Sequence, residues 1–273
     1  MKIFYAKIFL LFCIGGLVST SAVADRLNLN AGSAEVLNAN AIALQNLSFD
    51  EQFYNAVIQL NLDGTYQLLS IEQSHIASTA SYEVSFESTW SAATHPYQFP
   101  AGSAHFSGLI GATHRSDFKL WQTGELATPG IENMAETGGK SPLINEITSA
   151  IDTENAEFLL SGGGIASSPG MVALRFDVTQ AYAFVSLVSM IAPSPGWFVG
   201  VSALSLIADG QWVDELRVPL FAYDAGTDSG IAYFAANMDT DPQANISRLQ
   251  EPPFEVEGEI PALGRFIFRR VQP

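Results

Sequence analysis

The chain has 273 residues, with 28 Asp and Glu against 12 Lys and Arg, for a formal net charge of −16. So acidic a surface repels phosphate backbones, which argues against a nucleic-acid partner and favours soluble behaviour and attraction of divalent cations. The only cysteine, Cys13, excludes a disulfide framework, and a chain this long can bury an adequate core without one.

The N-terminal 24 residues have the make-up of an export signal. Lys2 and Lys7 form a short positive region, Ile8 to Val18 is almost wholly apolar, and Ala22-Val23-Ala24 supplies small residues at the cleavage positions. The apolar run is too short to cross a hydrocarbon layer of roughly 30 Å as a helix, so cleavage after Ala24 is favoured over an uncleaved anchor. Phe12, a bulky residue before Cys13, argues against lipidation there. Cleavage would remove Cys13, Lys2 and Lys7, leaving a cysteine-free chain of net charge −16 − 2 = −18. No later stretch approaches 18 consecutive apolar residues, so no transmembrane segment is expected in the mature chain.

Residues 25–48, rich in Asn and Ala, show little periodicity and read as an arm. Tyr54–Leu60 and Tyr66–Ile71 flank Asp63-Gly64, the pattern of a hairpin, so residues 25–78 are expected to be an arm with a small β-hairpin attachment. From residue 79 the texture is all-β. Tyr82, Val84 and Phe86 alternate with Glu83, Ser85 and Glu87, giving one buried face. Further strands are expected at 105–112, 171–178, 182–191, 198–207, 211–220, 231–235 and 263–271. The run from Ala183 to Ile191 is apolar enough to be a central strand buried on both faces. Helix is expected only at 143–152 and as a turn near 131–136. Many short strands with regular turns argue for a β-sandwich over 79–273 rather than a parallel α/β sheet.

Two blocks in this region carry a resemblance. The first is Tyr82-Glu83-Val84-Ser85-Phe86-Glu87-Ser88-Thr89-Trp90-Ser91, followed by His95-Pro96, Phe99-Pro100 and Leu109-Ile110-Gly111-Ala112-Thr113-His114. The second is Ala192-Pro193-Ser194-Pro195-Gly196-Trp197-Phe198-Val199-Gly200, then Trp212, then Tyr223-Asp224-Ala225-Gly226-Thr227-Asp228-Ser229-Gly230. In this order and spacing they resemble the spondin N-terminal domain, a family of animal matrix-adhesion proteins and exported bacterial proteins. The resemblance implies an antiparallel sandwich with a calcium ion held by loops at one end, a binding or adhesion role, and no catalytic activity. The implied metal ligands are Asp224 and Asp228. In the family a third carboxylate usually stands before the tryptophan of the Pro-Ser-Pro-Asp-Trp motif, where this chain has Gly196. That departure implies a weaker site, or one supplemented by Asp239, Asp241 or Asp214.

The residues alone leave two readings open for Asp224 and Asp228. Two carboxylates four apart can close on a hard cation if the chain turns sharply at Gly226, with Thr227 and backbone carbonyls adding oxygens. Equally, each aspartate can cap local N–H groups in a polar turn. His75, His95, His105 and His114 lack the spacing of a zinc site and read as structural or loop histidines. Trp90, Trp121, Trp197 and Trp212 read as core. Arg265, Arg269 and Arg270 read as partners for nearby carboxylates. No nucleophile elbow, phosphate-binding loop, zinc-protease helix or dinucleotide fingerprint is present: Ser202 in Gly200-Val201-Ser202-Ala203-Leu204 is followed by leucine where an elbow needs glycine. The expected function is thus a secreted or periplasmic module that recognises an extracellular protein, glycan or lipid-headgroup ligand. A self-assembly module and an extracellular polymer hydrolase are the alternatives.

Overall fold

A computed structural model describes residues 33–271 except 39, 50, 51, 62, 64, 74, 75 and 209. The expected export segment and His75 lie outside the described residues. The chain divides into two compact units, one of residues up to Ala77 with Ile207–Trp212, the other of Ser78–Leu206 with Val213 onward.

In the first unit, β1 (Ser33–Asn38), β2 (Ala41–Phe49), β3 (Gln52–Leu60) and β4 (Tyr66–Gln73) form one antiparallel sheet in sequence order. The expected hairpin is there as β3 and β4. What differs is the segment before it: residues 33–38 and 41–49, read as an arm, are strands. Their pattern is hidden by Ala and Asn, but Ile42 lies opposite Ile58 and Leu44 opposite Ala56, and these four bury one shared face. Such cross-strand pairs stabilise a sheet that weak local propensity alone would not. At the β3–β4 turn the Asp63 carboxylate accepts from the backbone N–H of Thr65 at 2.9 Å and from its hydroxyl at 2.6 Å. The short hairpin of β12 (Ile207–Ala208) and β13 (Gln211–Trp212) belongs to this unit, and Trp212 donates its ring N–H to the Ala77 carbonyl at 2.7 Å.

The second unit is a sandwich of two antiparallel sheets. One has the order β14 (Glu215–Leu220), β17 (Gly264–Val271), β5 (Thr79–Ser88), β9 (Gly170–Thr179). The other runs β16 (Ser247–Arg248), β15 (Tyr223–Asp224), β11 (Trp197–Ser205), β10 (Phe184–Ala192), β7 (Ile110–His114), β8 (Ala156–Ser161), with β6 (His105–Phe106) also pairing β10. Alternation on β5 works as its sequence requires. Tyr82, Val84 and Phe86 are fully buried, and Phe86 meets Phe106 of the other sheet edge-on at 4.7 Å. On the outer face Glu83 pairs with Arg175 and Glu87 with Arg265, both at 2.7 Å. Arg269 reaches Glu215 at 2.7 Å and Arg270 reaches Asp214 at 2.6 Å, so the basic cluster neutralises neighbouring carboxylates. These pairs are largely exposed and contribute little to stability.

β10 is buried on both faces because two helices cover the outer face of its sheet. α1 (Pro129–Thr137) and α2 (Ser141–Asp152) place Ile131, Met134, Ala135, Leu143 and Ile147 against Ile110, Ala112, Val188, Met190 and Phe198. Thr128 caps α1 by accepting from the Ile131 N–H at 3.2 Å, Pro129 opens it, and Gly138 closes it in the left-handed conformation. Glu146 of α2 ties the two together, accepting from Thr128 Oγ1 at 2.6 Å and Gly130 N at 2.7 Å. β8, not expected from the sequence, forms the sheet edge after α2. Residues 231–235, expected as a strand, are a loop.

Candidate functional site

One end of the sandwich is built from two loops, the β10–β11 turn and the segment after β15. Trp197 pairs with Asp224 across β11 and β15, and the Ala225 N–H donates to the Gly196 carbonyl at 3.0 Å. The chain turns sharply at Gly226. Its φ is +76°, and a Cβ there would lie 2.3 Å from the Ala244 carbonyl oxygen, so only glycine fits. Beyond it residues 226–244 fold back on themselves: Ser229 N donates to Met238 O, Thr240 N to Thr227 O and Ala244 N to Gly226 O, each at 2.8 Å.

Both aspartates organise this fold-back. Asp224 Oδ1 accepts from the Gly226 N–H at 2.7 Å. Asp228 is buried, with Oδ1 accepting from Gly230 N at 2.7 Å and Oδ2 from Met238 N at 2.8 Å. Capping of local N–H groups, one of the two readings open from the residues, is therefore present. Each carboxylate oxygen has a second lone pair, so capping does not consume the capacity to meet a cation.

Around these two lies a wider acidic surround that no ion pair among the described residues neutralises. α1 brings Glu136 to it, because burying Ile131, Met134 and Ala135 turns the next residue toward the β10–β11 turn. A Cβ on Gly196 would sit 3.6 Å from Glu136 Cγ, 3.6 Å from Thr227 Oγ1 and 3.7 Å from Asp228 Cβ, so four residues border one small space. Burial pushes the Glu136 carboxyl above its ordinary range; the Thr227 hydroxyl pulls the other way, and the charges of Glu132, Asp228 and Asp239 add to the rise. Burial likewise raises Asp224, opposed by the Gly226 and Trp197 N–H groups and reinforced by the charge of Asp228. Thr227 is 5% exposed, and its Oγ1 makes no hydrogen bond of ordinary geometry. Carboxylate and hydroxyl oxygens are the donor types that a hard cation such as calcium takes. Among the described residues, however, no three acidic, histidine or cysteine side chains come together as a group that could hold a metal ion.

The other residues singled out in the sequence fall as follows. Asp239 pairs with Asp228 as an isolated bridge and borders the cluster, whereas Asp241 is exposed on the returning arm and Asp214 is engaged by Arg270. Two apolar side chains carry more than the sequence suggests. Ile231 and Phe234, at 85% and 71% exposure, project from the loop between Gly230 and Asp239, with Met238 at 54%. Tyr233 between them points inward, packing on Trp90, Trp197 and Phe254 at 5.6, 5.6 and 6.0 Å.

Against this geometry, the Spondin_N family model matches residues 80–256, a span that takes in the whole tip and the strands of both sheets apart from β17. The chain belongs to the Spondin_N family. It is 33% identical over 173 residues to Spondin-2 of Rattus norvegicus, covering 62% of this chain and 52% of the relative. It is also 33% identical over 205 residues to Spondin-1 of Gallus gallus, covering 71% of this chain and 26% of the relative. The chain thus spans about half the length of the one and about a quarter of the other. Within this Spondin_N domain no described helix is long and apolar enough to cross a membrane.

The domain's histidines are held in the structure, not gathered into a site. His114 is buried, Nε2 against Ser186 Oγ at 2.8 Å and Nδ1 against the Arg115 carbonyl at 2.7 Å, and His95 is buried against Thr94. His105 is exposed, with Nδ1 2.7 Å from the Ser103 carbonyl. Burial lowers the pKa of both His95 and His114. Below about pH 6.5 the unfolded chain takes up protons that the folded chain refuses, so stability falls as pH drops through that range. Urea midpoints measured at pH 7 and pH 5 are expected to decline, and the decline to be flatter in His114→Gln. Equal slopes would show that His114 contributes nothing to the linkage.

Proposed function

We propose that the chain is an exported binding module whose tip recognises an extracellular ligand through the loop between Gly230 and Asp239, and that calcium held by Asp224 and Asp228 shapes that tip. One observation carries the reading. Ile231, Phe234 and Met238 are exposed on a loop held from behind by Tyr233 and by both oxygens of Asp228. Large apolar side chains clustered on an anchored surface loop are the make-up of a contact surface. Resemblance to Spondin-1 and Spondin-2 supports a role outside the cell, and the N-terminal 24 residues supply the export signal, with cleavage after Ala24.

The test uses a glycan array, immobilised extracellular-matrix extract and phosphatidylcholine vesicles with and without phosphatidylserine, each with calcium or with chelator. The protein is expected to bind one of these classes in calcium, and the Ile231→Ser, Phe234→Ser double variant to bind at least about tenfold more weakly with an unchanged thermal midpoint. Retained binding by that variant would place recognition elsewhere. A second reading, self-assembly, is favoured by one feature of the first unit: β4 is a sheet edge with Leu68, Leu69 and Ile71 exposed. Concentration-dependent size in sedimentation would support it.

A further inference from the structure

We propose that a cleft at the open edge of the sandwich, bordered by residues 119–123, β11 and β14, is a binding site for a small amphipathic carboxylate. Lys119 meets the anionic head, and Leu204, Val218 and Pro219 meet the apolar body. The site shares no residue with the loop between Gly230 and Asp239, so it stands or falls apart from the reading of the tip.

The cleft exists because both sheets stop there. β15 pairs with Trp197 and Phe198 alone, which leaves residues 199–205 of β11 with no strand on that side among the described residues. β14 is the last strand of the other sheet. The hollow bordered by the two measures about 370 Å³, within the range of small-molecule sites. Its borders differ in chemistry. β14 brings only Val218 and Pro219, and β11 adds Val201 and Leu204, whereas the 119–123 segment brings Lys119, Gln122 and Thr123. A ligand apolar at one end and polar at the other matches that division.

The polar groups are not engaged within the protein. Among the described residues Lys119 is the one lysine or arginine with no ion pair, hydrogen bond or ring partner. Six arginines pair with carboxylates, Lys140 reaches Ser161 and Gly162, and Arg248 lies over Phe221. Acidic residues outnumber basic ones by 28 to 12, yet none takes Lys119. The Gln122 and Thr123 side chains and the Tyr223 hydroxyl, which also border the cleft, make no hydrogen bond with a described residue. One cation matches one negative charge, and the acidity of the chain disfavours a multiply charged ligand. These terms select a carboxylate.

The wall that carries these groups is fixed before any ligand arrives. Trp121 donates its ring N–H to the Val201 carbonyl at 3.2 Å, and its own carbonyl accepts from Ser202 Oγ at 2.5 Å. The indole packs on Phe198 and Tyr223 at 5.0 and 4.9 Å. A bulge aims Ser202 at Trp121. Val185 pairs with Leu204 and Leu187 with Val201, so Ser186 alone faces Ser202 and Ala203. Ala203 takes a φ of +50°, a conformation alanine rarely adopts, and its N–H donates to Ser186 Oγ at 2.9 Å. Regular pairing would avoid both irregularities; what they secure is the tie between β11 and the 119–123 segment.

The experiment titrates four probes into the isotope-labelled full chain at pH 7 and follows its amide and indole N–H resonances. The probes are hexanoate, hexanol, hexylammonium and acetate. Hexanoate is expected to move the Trp121, Gln122, Thr123 and Leu204 signals saturably, with a dissociation constant on the order of 1 mM. Acetate, which lacks the chain, should bind at least about tenfold more weakly, and so should hexanol and hexylammonium, which lack the anion. Lys119 is exposed, so its replacement leaves the fold intact. Lys119→Ala should bring hexanoate to the level of hexanol, and Lys119→Arg should keep the preference. Cleft signals that stay still up to about 50 mM hexanoate, or movement confined to residues 231–238, would overturn the site. Equal binding of hexanoate and hexanol by wild type, or hexanoate binding by Lys119→Ala within about twofold of wild type, would overturn the assignment of a carboxylate to Lys119.

Discussion

Asp228→Ala is expected to destabilise the calcium-free protein by about 2–5 kcal/mol, read from urea unfolding in chelator, because it orphans two backbone donors at once. The N–H groups of Gly230 and Met238 both end on this carboxylate, at 2.7 and 2.8 Å. The alanine methyl group offers them nothing, and the site is buried. The sign separates two roles. A carboxylate kept only as a metal ligand would cost the empty protein its repulsion with neighbouring acids, so removing it would leave stability unchanged or raised. A carboxylate that also holds the loop predicts a loss. Asp228→Asn keeps one acceptor oxygen and is expected to lose roughly half as much. An unchanged midpoint for Asp228→Ala would remove the structural role.

Trp90→Ala is expected to cost about 3–5 kcal/mol, a large share of the 5–15 kcal/mol that holds an ordinary domain together. The indole is fully buried where the end of β5, the loop carrying Phe99, and Tyr233 converge, with ring centroids at 5.3 Å from Phe99, 5.5 Å from Phe106 and 5.6 Å from Tyr233. A cavity of that size between three segments cannot close by moving one of them, so the cost stays near the upper end. Because Tyr233 loses a wall of its pocket, amide exchange in residues 226–239 should quicken more than in β10 at matched stability. Trp90→Phe refills part of the volume and should cost less than half as much. A loss under about 1 kcal/mol for alanine would mean that the cluster is not a packing centre.

What the sequence revealed follows from how local each signal is. The alternation of Tyr82, Val84 and Phe86 and the unbroken apolar run of β10 each act within a few residues, and each appears in the structure as expected. β1 and β2 were not legible because their stabilising partners lie on neighbouring strands and not in their own composition. The loop at 231–235 misleads for the opposite reason. Ile, Tyr and Phe in close succession give a strand-like pattern, yet only Tyr233 is drawn inward, and among the described residues no strand pairs with the segment. Asp224 and Asp228 could be singled out from spacing, and their capping role was one of the two options that spacing allows. Glu136 carries no such signal, since 60 residues of chain separate it from Gly196 and only the packing of α1 on the sheet brings them together.

The inward turn of Tyr233 separates two demands on one short stretch of chain. Folding is served by the phenol, while Ile231 and Phe234 give the interior almost nothing. Exchanges at the two outer positions are therefore nearly free of a folding penalty, within about 0.5 kcal/mol. Selection can revise the outer surface of this loop, residue by residue, without renegotiating the scaffold that presents it.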